Sequence, residues 1–201
     1  MDRCLYSRIK LLIFIIFLGA ICLSFSSKRE EVFKQEEVDL NNNSIKEIYT
    51  LNNGRLTVVE DSKVIWQSPS EWWIDDFVIA DSTNDGFLNL NLSLWKRGNY
   101  GSSKPFWVKE NDMSIKNHFF VYNKDLKLIW GSSNLDKPNC EFIIKDIDED
   151  LKNELVVIEG EYAKNRQCNG NYIAVWRWNG WGFSNEWRSK EGSYSNLIDL
   201  Y

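Results

Sequence analysis

Short apolar segments separated by polar turns run along the chain from about residue 47 to its end. Segments such as "RLTVVED", "HFFVYN" and "NYIAVWRW" are rich in Val, Ile, Phe and Trp and are bounded by Asn, Asp, Gly or Ser, which is typical of β-strands. The stretch 88–94, "LNLNLSL", alternates strictly between apolar and polar residues, which predicts a strand with one buried face. No segment shows the 3.6-residue period of a long helix. The pattern predicts an all-β domain over residues 47–201.

The predicted strands repeat along the chain. Trp-x-Ser occurs at Trp66, Trp130 and Trp187, each time on the second strand of a predicted hairpin. After the first two copies, Phe77, Asp81, Asp85, Leu90 and Leu92 are matched 65 residues later by Phe142, Asp146, Asp150, Leu155 and Val157. Because little sequence follows the third copy, we expect two complete and one partial four-stranded antiparallel units, at about 47–116, 117–170 and 171–201.

Four-stranded units in series commonly form the blades of a β-propeller, but propellers usually close with four to eight blades. The fold class expected here is therefore all-β with propeller-like blades. Three arrangements stay open: an incomplete propeller that forms a stack of small sheets, a propeller closed by an oligomer, and a merged sandwich or barrel.

The first 46 residues differ in character from the β-rich part. Three basic residues precede an uncharged apolar run from Leu11 to Phe25, which predicts a hydrophobic helix over residues 1–27 acting as a signal peptide or as a membrane anchor. Residues 28–46 are charged and aperiodic, which predicts a polar linker. The basic residues ahead of the run place the rest of the chain outside the cytoplasm, with membrane contact through the N-terminal segment alone.

Two cysteines, Cys140 and Cys168, follow the export segment. The strand order predicted around them places both at one end of a sheet, so we expect a disulfide, with two separate thiols as the alternative. Acidic residues outnumber basic ones by 29 to 24, and the net charge of −5 gives no reason to expect a nucleic-acid partner.

Two acidic turns connect predicted strands at 81–89 and 146–154. "DFVIADSTNDGFLNLNL" and "EFIIKDIDEDLKNELVV" resemble the FG-GAP or VCBS-type repeats of β-propellers and integrin-like extracellular domains, whose turn runs roughly D-x-D-x-D-G-x-x-[DE]. In that family the turn commonly binds Ca²⁺. The resemblance implies the ligands Asp146, Asp148, Asp150, Glu154 and the carbonyl of Lys152, and a weaker second site at Asp81, Thr83, Asp85 and Asn89.

The chemistry of the turn agrees with a structural Ca²⁺, because this ion accepts six to eight oxygen ligands in flexible geometry. Leu151 departs from the family pattern, since it occupies the position usually filled by Gly, and the turn must accept strain there or open. The alternative is a solvated turn held by hydrogen bonds from Asp and Asn side chains.

The long segment 96–116 interrupts the repeat. It combines cations and aromatic rings that suit a sugar or an anionic cell-surface polymer, and the alternative is that its rings cover the end of a sheet. The candidate ligand-binding residues are Lys96, Arg97, Tyr100, Lys104, Phe106 and Trp107.

No catalytic residue is predicted. His118 is the only histidine, for which a surface or cross-strand position is favoured, and Glu159 and Glu161 lie two apart on one strand, where they do not face each other across a cleft. We expect an exported, membrane-tethered module for adhesion or ligand binding, whose partner is a cell-surface protein or polysaccharide. The first alternative is a structural subunit that completes a propeller with a second copy or a partner, and a carbohydrate-active enzyme is less favoured.

Overall fold

The computed structural model describes residues 33–99, 106–110 and 112–197. Twelve β-strands and one 3₁₀ turn, Lys164–Arg166, lie in these residues. The first sheet contains β1 (Phe33–Val38), β2 (Glu47–Asn52), β3 (Arg55–Glu60) and β4 (Lys63–Gln67). The second contains β5 (Trp73–Ala80), β6 (Asn89–Arg97), β7 (Ile115–Tyr122) and β8 (Leu128–Gly131). The third contains β9 (Asn139–Lys145), β10 (Glu154–Tyr162), β11 (Cys168–Trp178) and β12 (Phe183–Arg188).

The three sheets share one topology, in which four antiparallel strands pair in chain order. The predicted all-β class is therefore confirmed. The Trp-x-Ser copies all lie at the last strand of a sheet, with Trp66 in β4, Trp130 in β8 and Trp187 in β12. The repeat in the sequence is thus a repeat of whole sheets.

The number of complete sheets differs from the prediction of two complete units and one partial unit. The predicted unit 117–170 combines β7 and β8 of the second sheet with β9 and β10 of the third, so the predicted units are out of phase with the sheets. Strand β1 was not predicted; it lies inside the predicted linker 28–46 and pairs with β2 from Phe33 opposite Asn52 to Val38 opposite Glu47. Its sequence, "FKQEEV", is polar because the strand lies at the edge of the sheet, where its residues are only exposed or half-buried. Backbone pairing with β2 does not depend on apolar side chains, so the composition of this segment did not predict a strand.

The middle sheet is buried on both faces. On one face, Phe77, Leu90, Leu92 and Leu94 pack against a cluster from the first sheet that includes Tyr49, Leu51, Leu56 and Val58. On the other face, Phe119 and Val121 pack against Phe142, Leu155, Val157 and Ala174 of the third sheet. A third cluster of Val156, Ile158, Ile173 and Val175 covers the outer face of the third sheet together with Leu197.

Strand β6 differs from its prediction of one buried face, because eight consecutive residues from Asn89 to Lys96 are buried. The polar residues of the alternation are accommodated by hydrogen bonds. Asn91 Nδ2 lies within hydrogen-bond distance of the carbonyls of Val78 and Ala80, and Asn117 Nδ2 donates to Ser93 Oγ. A polar residue in an alternating strand therefore does not require solvent when its partners are built into the sheet.

The predicted disulfide between Cys140 and Cys168 is confirmed, with a Cα–Cα distance of 5.2 Å. Gly160 of β10 makes room for it, because a Cβ atom there would come within 2.5 Å of Cys140 Sγ and 2.2 Å of the Asn169 carbonyl oxygen. The described residues contain no helix that is long and apolar enough to cross a membrane. The hydrophobic segment predicted over 1–27 lies outside them.

His118 lies in the interior instead of at the surface. It is fully buried in β7, and its Nδ1 lies 3.2 Å from the Ser132 carbonyl oxygen. Burial lowers the pKa of His118 to about 4, and the nearby charge of Lys96 acts in the same direction. The side chain is therefore neutral at physiological pH.

This burial predicts a loss of stability on acidification. The unfolded chain takes up the histidine proton near the ordinary pKa of 6.5, whereas native His118 takes it up only near pH 4. The contribution of neutral His118 to the free energy of unfolding is complete above pH 6.5 and decreases as the pH falls towards 4. Between pH 7 and pH 5 the free energy of unfolding should therefore fall by about 2 kcal/mol. Urea unfolding of the parent and of His118→Asn at both pH values measures this change in the free energy of unfolding. An equal loss in the two proteins would contradict it.

Candidate metal centre and ligand cleft

The connection between the first and second strands has the same structure in all three sheets. These three loops, 39–47, 81–89 and 146–154, each span nine residues. In each of them the fourth and sixth residues have left-handed backbone conformations. Their φ angles are 60° and 71° at Asn42 and Ser44, 58° and 86° at Asn84 and Gly86, and 63° and 67° at Glu149 and Leu151.

Two hydrogen bonds recur in the loops. The first residue accepts the N–H of the sixth at 2.8 Å in every loop, with Asp39, Asp81 and Asp146 as acceptors. The ninth residue is buried and accepts the N–H of the second at 2.8–3.1 Å, with Glu47, Asn89 and Glu154 as acceptors. These side chains replace the backbone partners that a nine-residue turn lacks, so they have a structural role in each loop.

The loop 39–47 was missed at the sequence level. "DLNNNSIKE" has the spacing of the acidic turn, with Asn41 and Asn43 where the pattern has aspartate. Both amide groups donate to Glu60 Oε2, at 2.9 and 2.8 Å. Their Oδ1 atoms accept the N–H groups of Asn43 and Ile45, at 2.9 and 2.7 Å, so both side chains are held by hydrogen bonds within the loop. A pattern that accepts Asn as well as Asp at these spacings would have identified the loop from the sequence.

In the third loop, oxygens of Asp146, Asp148 and Glu154 lie within 4.8 Å of one another. This acidic triad could hold a metal ion. Asp146 Oδ1 is buried and accepts no hydrogen bond within the described part of the chain, whereas the buried Glu154 Oε1 pairs with Arg177 Nη2 at 2.7 Å. Burial raises the pKa of Glu154, and the carboxylates of Asp148 and Asp150 add to this, against the opposing effects of the Ile147 N–H and Arg177.

The other two predicted ligands of this loop are Asp150 and the carbonyl of Lys152. Asp150 is not part of the triad, since its Oδ1 accepts the N–H of Lys152 at 2.9 Å and its Oδ2 accepts a hydrogen bond from Arg177 at 2.6 Å. The carbonyl of Lys152 stays a prediction as a ligand. Leu151 accepts the strain expected at the glycine position, with a φ of 67°.

Arg177 of β11 was not identified from the sequence, although its guanidinium lies directly against the third loop. Its Nη2 lies 2.9 Å from Asp148 Oδ2 and 2.7 Å from Glu154 Oε1. Its Nε lies 3.2 Å from Glu186 Oε2 on β12. A single basic residue in an apolar strand end, "AVWRW", was the only signal.

In the second loop, the residues predicted as a weaker site bond to one another. Asn89 Oδ1 accepts hydrogen bonds from Thr83 N and Oγ1 at 3.3 and 3.2 Å. Asp81 accepts the N–H groups of Asp85 and Gly86. Among the described residues, no acidic group of the kind seen in the third loop is found here.

An asparagine pair joins the second and third loops. Asn153 N donates to Asn84 Oδ1 at 2.6 Å, and Asn84 Nδ2 donates to the Asn153 carbonyl at 3.1 Å. Asn153 Nδ2 also donates to the carbonyl of Asp81 at 2.8 Å. The two loops therefore hold each other in place at one end of the second and third sheets.

The described residues among those predicted for ligand binding in segment 96–107 have different environments. Lys96 is buried, its Nζ donates to the Gly98 carbonyl, and burial lowers the pKa of its ammonium group. Arg97 is exposed and reaches the Met113 carbonyl, at 3.4 Å. The exposed rings of Phe106 and Trp107 contact each other edge to face, with centroids 4.9 Å apart. Tyr100 and Lys104 lie outside the described residues.

A cleft of about 430 Å³ opens between the second and third sheets. Its apolar wall consists of Phe119, Trp130, Leu155, Val157, Trp176 and Phe183. Its polar side contains Glu159, which is 3% exposed and pairs with Arg188 at 2.7 Å. Glu161 does not line the cleft and pairs with Lys137 at 3.0 Å.

The left-handed residues of the loops predict a reciprocal pair of stability changes. Leu151 is 93% exposed, so Leu151→Gly removes strain with little loss of burial and should raise the free energy of unfolding by about 1 kcal/mol. Gly86→Ala at the same position of the second loop meets no atom within 4 Å and should lower it by about 1 kcal/mol. Urea unfolding measures both, and changes of the same sign would count against the shared loop geometry.

No family model matches the chain, no curated protein matches it, and no solved structure matches its fold. The resemblance to FG-GAP repeats therefore stays a prediction that rests on the residues of the two turns.

Proposed function

We propose that the chain is an exported, membrane-tethered β-repeat module that binds a ligand in the cleft between its second and third sheets. The cleft carries this proposal, because its volume of about 430 Å³ falls in the range of small-molecule sites, and it combines an apolar aromatic wall with a few polar groups. The Cys140–Cys168 disulfide supports an extracytoplasmic location, since such bonds persist in oxidising compartments.

The ligand class proposed is a neutral saccharide, as the terminal unit of a cell-surface polysaccharide. The rings of Trp130 and Phe183 contact each other edge to face at 5.3 Å and present an apolar wall of the kind on which a sugar ring stacks. The ion pair of Glu159 and Arg188 offers an acceptor and several donors without net charge. The hydroxyl groups of a saccharide can donate to the carboxylate of Glu159 and accept from the guanidinium of Arg188. A strongly charged ligand would have to break this ion pair.

The three sheets are proposed as blades of FG-GAP type, with Ca²⁺ as a structural ion at the third loop. The support for the ion is the triad of Asp146, Asp148 and Glu154, in which Asp146 Oδ1 is buried and accepts no hydrogen bond among the described residues. Hard oxygen ligands on a short loop are the ligand set that Ca²⁺ prefers. Bound there, the ion would supply positive charge that holds the loop together.

The cleft proposal predicts a tryptophan-specific loss of binding. Trp130→Ala removes a wall residue and should weaken binding of a neutral oligosaccharide by roughly tenfold or more, whereas Trp181→Ala, which is 80% exposed and outside the cleft, should leave it unchanged. A panel of neutral oligosaccharides identifies a binder of the parent, and calorimetry on that binder measures the variants.

Arg188→Met tests the polar side without removing an aromatic residue from the core, and it should also weaken binding. Circular dichroism establishes that each variant is folded. Failure of the parent to bind any neutral oligosaccharide, or equal losses for Trp130→Ala and Trp181→Ala, would contradict the proposal.

A further inference from the structure

Arg177 shares its contact atoms with the acidic triad of the third loop. The two oxygens nearest to its Nη2 are Asp148 Oδ2, at 2.9 Å, and Glu154 Oε1, at 2.7 Å. Both residues belong to the triad that could hold a metal ion. The guanidinium therefore lies where a cation bound to these carboxylates would have to approach.

A metal ion and the guanidinium cannot use these oxygens at the same time. Ca²⁺ binds oxygen at about 2.3–2.6 Å and needs six to eight ligands around it. An Nη2 atom within 3 Å of Asp148 and Glu154 would lie inside that coordination sphere and would repel the ion. Binding of the ion thus requires the guanidinium to leave the pair.

The charge around Arg177 still favours a second cation. Four carboxylates contact its single guanidinium, namely those of Asp148, Asp150, Glu154 and Glu186. Asp146, the remaining member of the triad, has a buried oxygen, Oδ1, that accepts no hydrogen bond within the described residues. Arginine therefore neutralises only part of the cluster, and a divalent ion would gain the oxygen that arginine leaves unused.

Arg177 also has two partners that do not belong to the triad, Asp150 and Glu186. Its Nε lies 3.2 Å from Glu186 Oε2, whose side chain is 43% exposed, and the Arg177 side chain is 20% exposed. The guanidinium can withdraw towards solvent while this contact is kept. Its charge stays compensated, so the cost of displacement is small compared with that of an unpaired buried arginine.

We propose that Arg177 is an internal competitor for the metal position of the third loop. The guanidinium closes the loop at low Ca²⁺ concentration, and the ion displaces it towards Glu186 at high concentration. This inference rests on the proposed Ca²⁺ site and adds the residue that sets its affinity. Without the ion, the guanidinium supplies the positive charge that holds the loop carboxylates together.

The test uses the full chain, with Ca²⁺ alone as the probe. Arg177→Gln removes the competing charge, so the Kd for Ca²⁺ measured by calorimetry should fall tenfold or more relative to the parent. Without Ca²⁺, the thermal midpoint of this variant should lie below that of the parent, because the carboxylates lose their partner; with Ca²⁺ it should rise by more than that of the parent. Arg55→Gln is the matched control, since Arg55 bonds to Gln67 on the first sheet, and it should behave as the parent.

A second variant keeps the test decisive if Arg177→Gln does not fold without the ion. Glu186→Gln removes the partner to which the arginine withdraws and should weaken Ca²⁺ binding severalfold in a folded protein. Asp148→Ala should abolish Ca²⁺ binding both in the parent and in the Arg177→Gln variant.

The possible results separate the two proposals. If the parent binds Ca²⁺ and Arg177→Gln binds it no more tightly, the competition is wrong and the metal site stands. If no variant binds Ca²⁺, both proposals are wrong. An unchanged Ca²⁺ affinity in Glu186→Gln would overturn the withdrawal step.

Discussion

Burial of the middle sheet on both faces is the constraint on which the rest of this structure depends. Strand β6 has no solvent-facing side between Asn89 and Lys96, because the first and third sheets each cover one face of it. Both covering sheets must therefore supply an apolar face, and a polar group between them is costly unless it finds a protein partner. Asn91 and Asn117 donate to carbonyl and hydroxyl oxygens within the sheet, while Asn91 Oδ1 and His118 Nε2 are buried without a hydrogen-bond partner in the described part of the chain.

The candidate sites follow from this stacking. Because the second and third sheets pack face to face, their first loops are neighbours, and the pair of Asn84 and Asn153 fixes them together. Farther along β10, the same interface opens into the cleft that contains Glu159. One strand thus carries Glu154 of the acidic triad at its start and Glu159 of the cleft five residues later. The two sites share a rigid support that is buried along most of its length.

The sequence predicted those features that depend on local pattern. Alternation and turn residues identified most strands, the Trp-x-Ser copies marked the last strand of every sheet, and strand order around Cys140 and Cys168 predicted their disulfide. Spacing of acidic residues also located two of the three loops. These features can be predicted because each depends on residues at a few neighbouring positions in the sequence.

Features that depend on the packed structure were not accessible in this way. Strand β1 is polar, so only its pairing with β2 reveals it. Lys96 was predicted as a ligand-binding residue but is buried in β6, where its ammonium group donates to the carbonyl of Gly98. Arg177 lies 23 residues after Glu154 in sequence, and only the pairing of β10 with β11 brings it to the loop. Such contacts are decided by sheet register and not by composition.

Native-state hydrogen exchange on the full chain tests the two-sided burial most directly. The backbone amides of β6 have no face through which local opening can reach water, so they should exchange only through global unfolding, with the same denaturant dependence as the unfolding transition. Amides of the edge strand β12 should exchange earlier, through local opening. Exchange of the β6 amides as fast as those of β12 under native conditions would contradict a middle sheet covered on both faces.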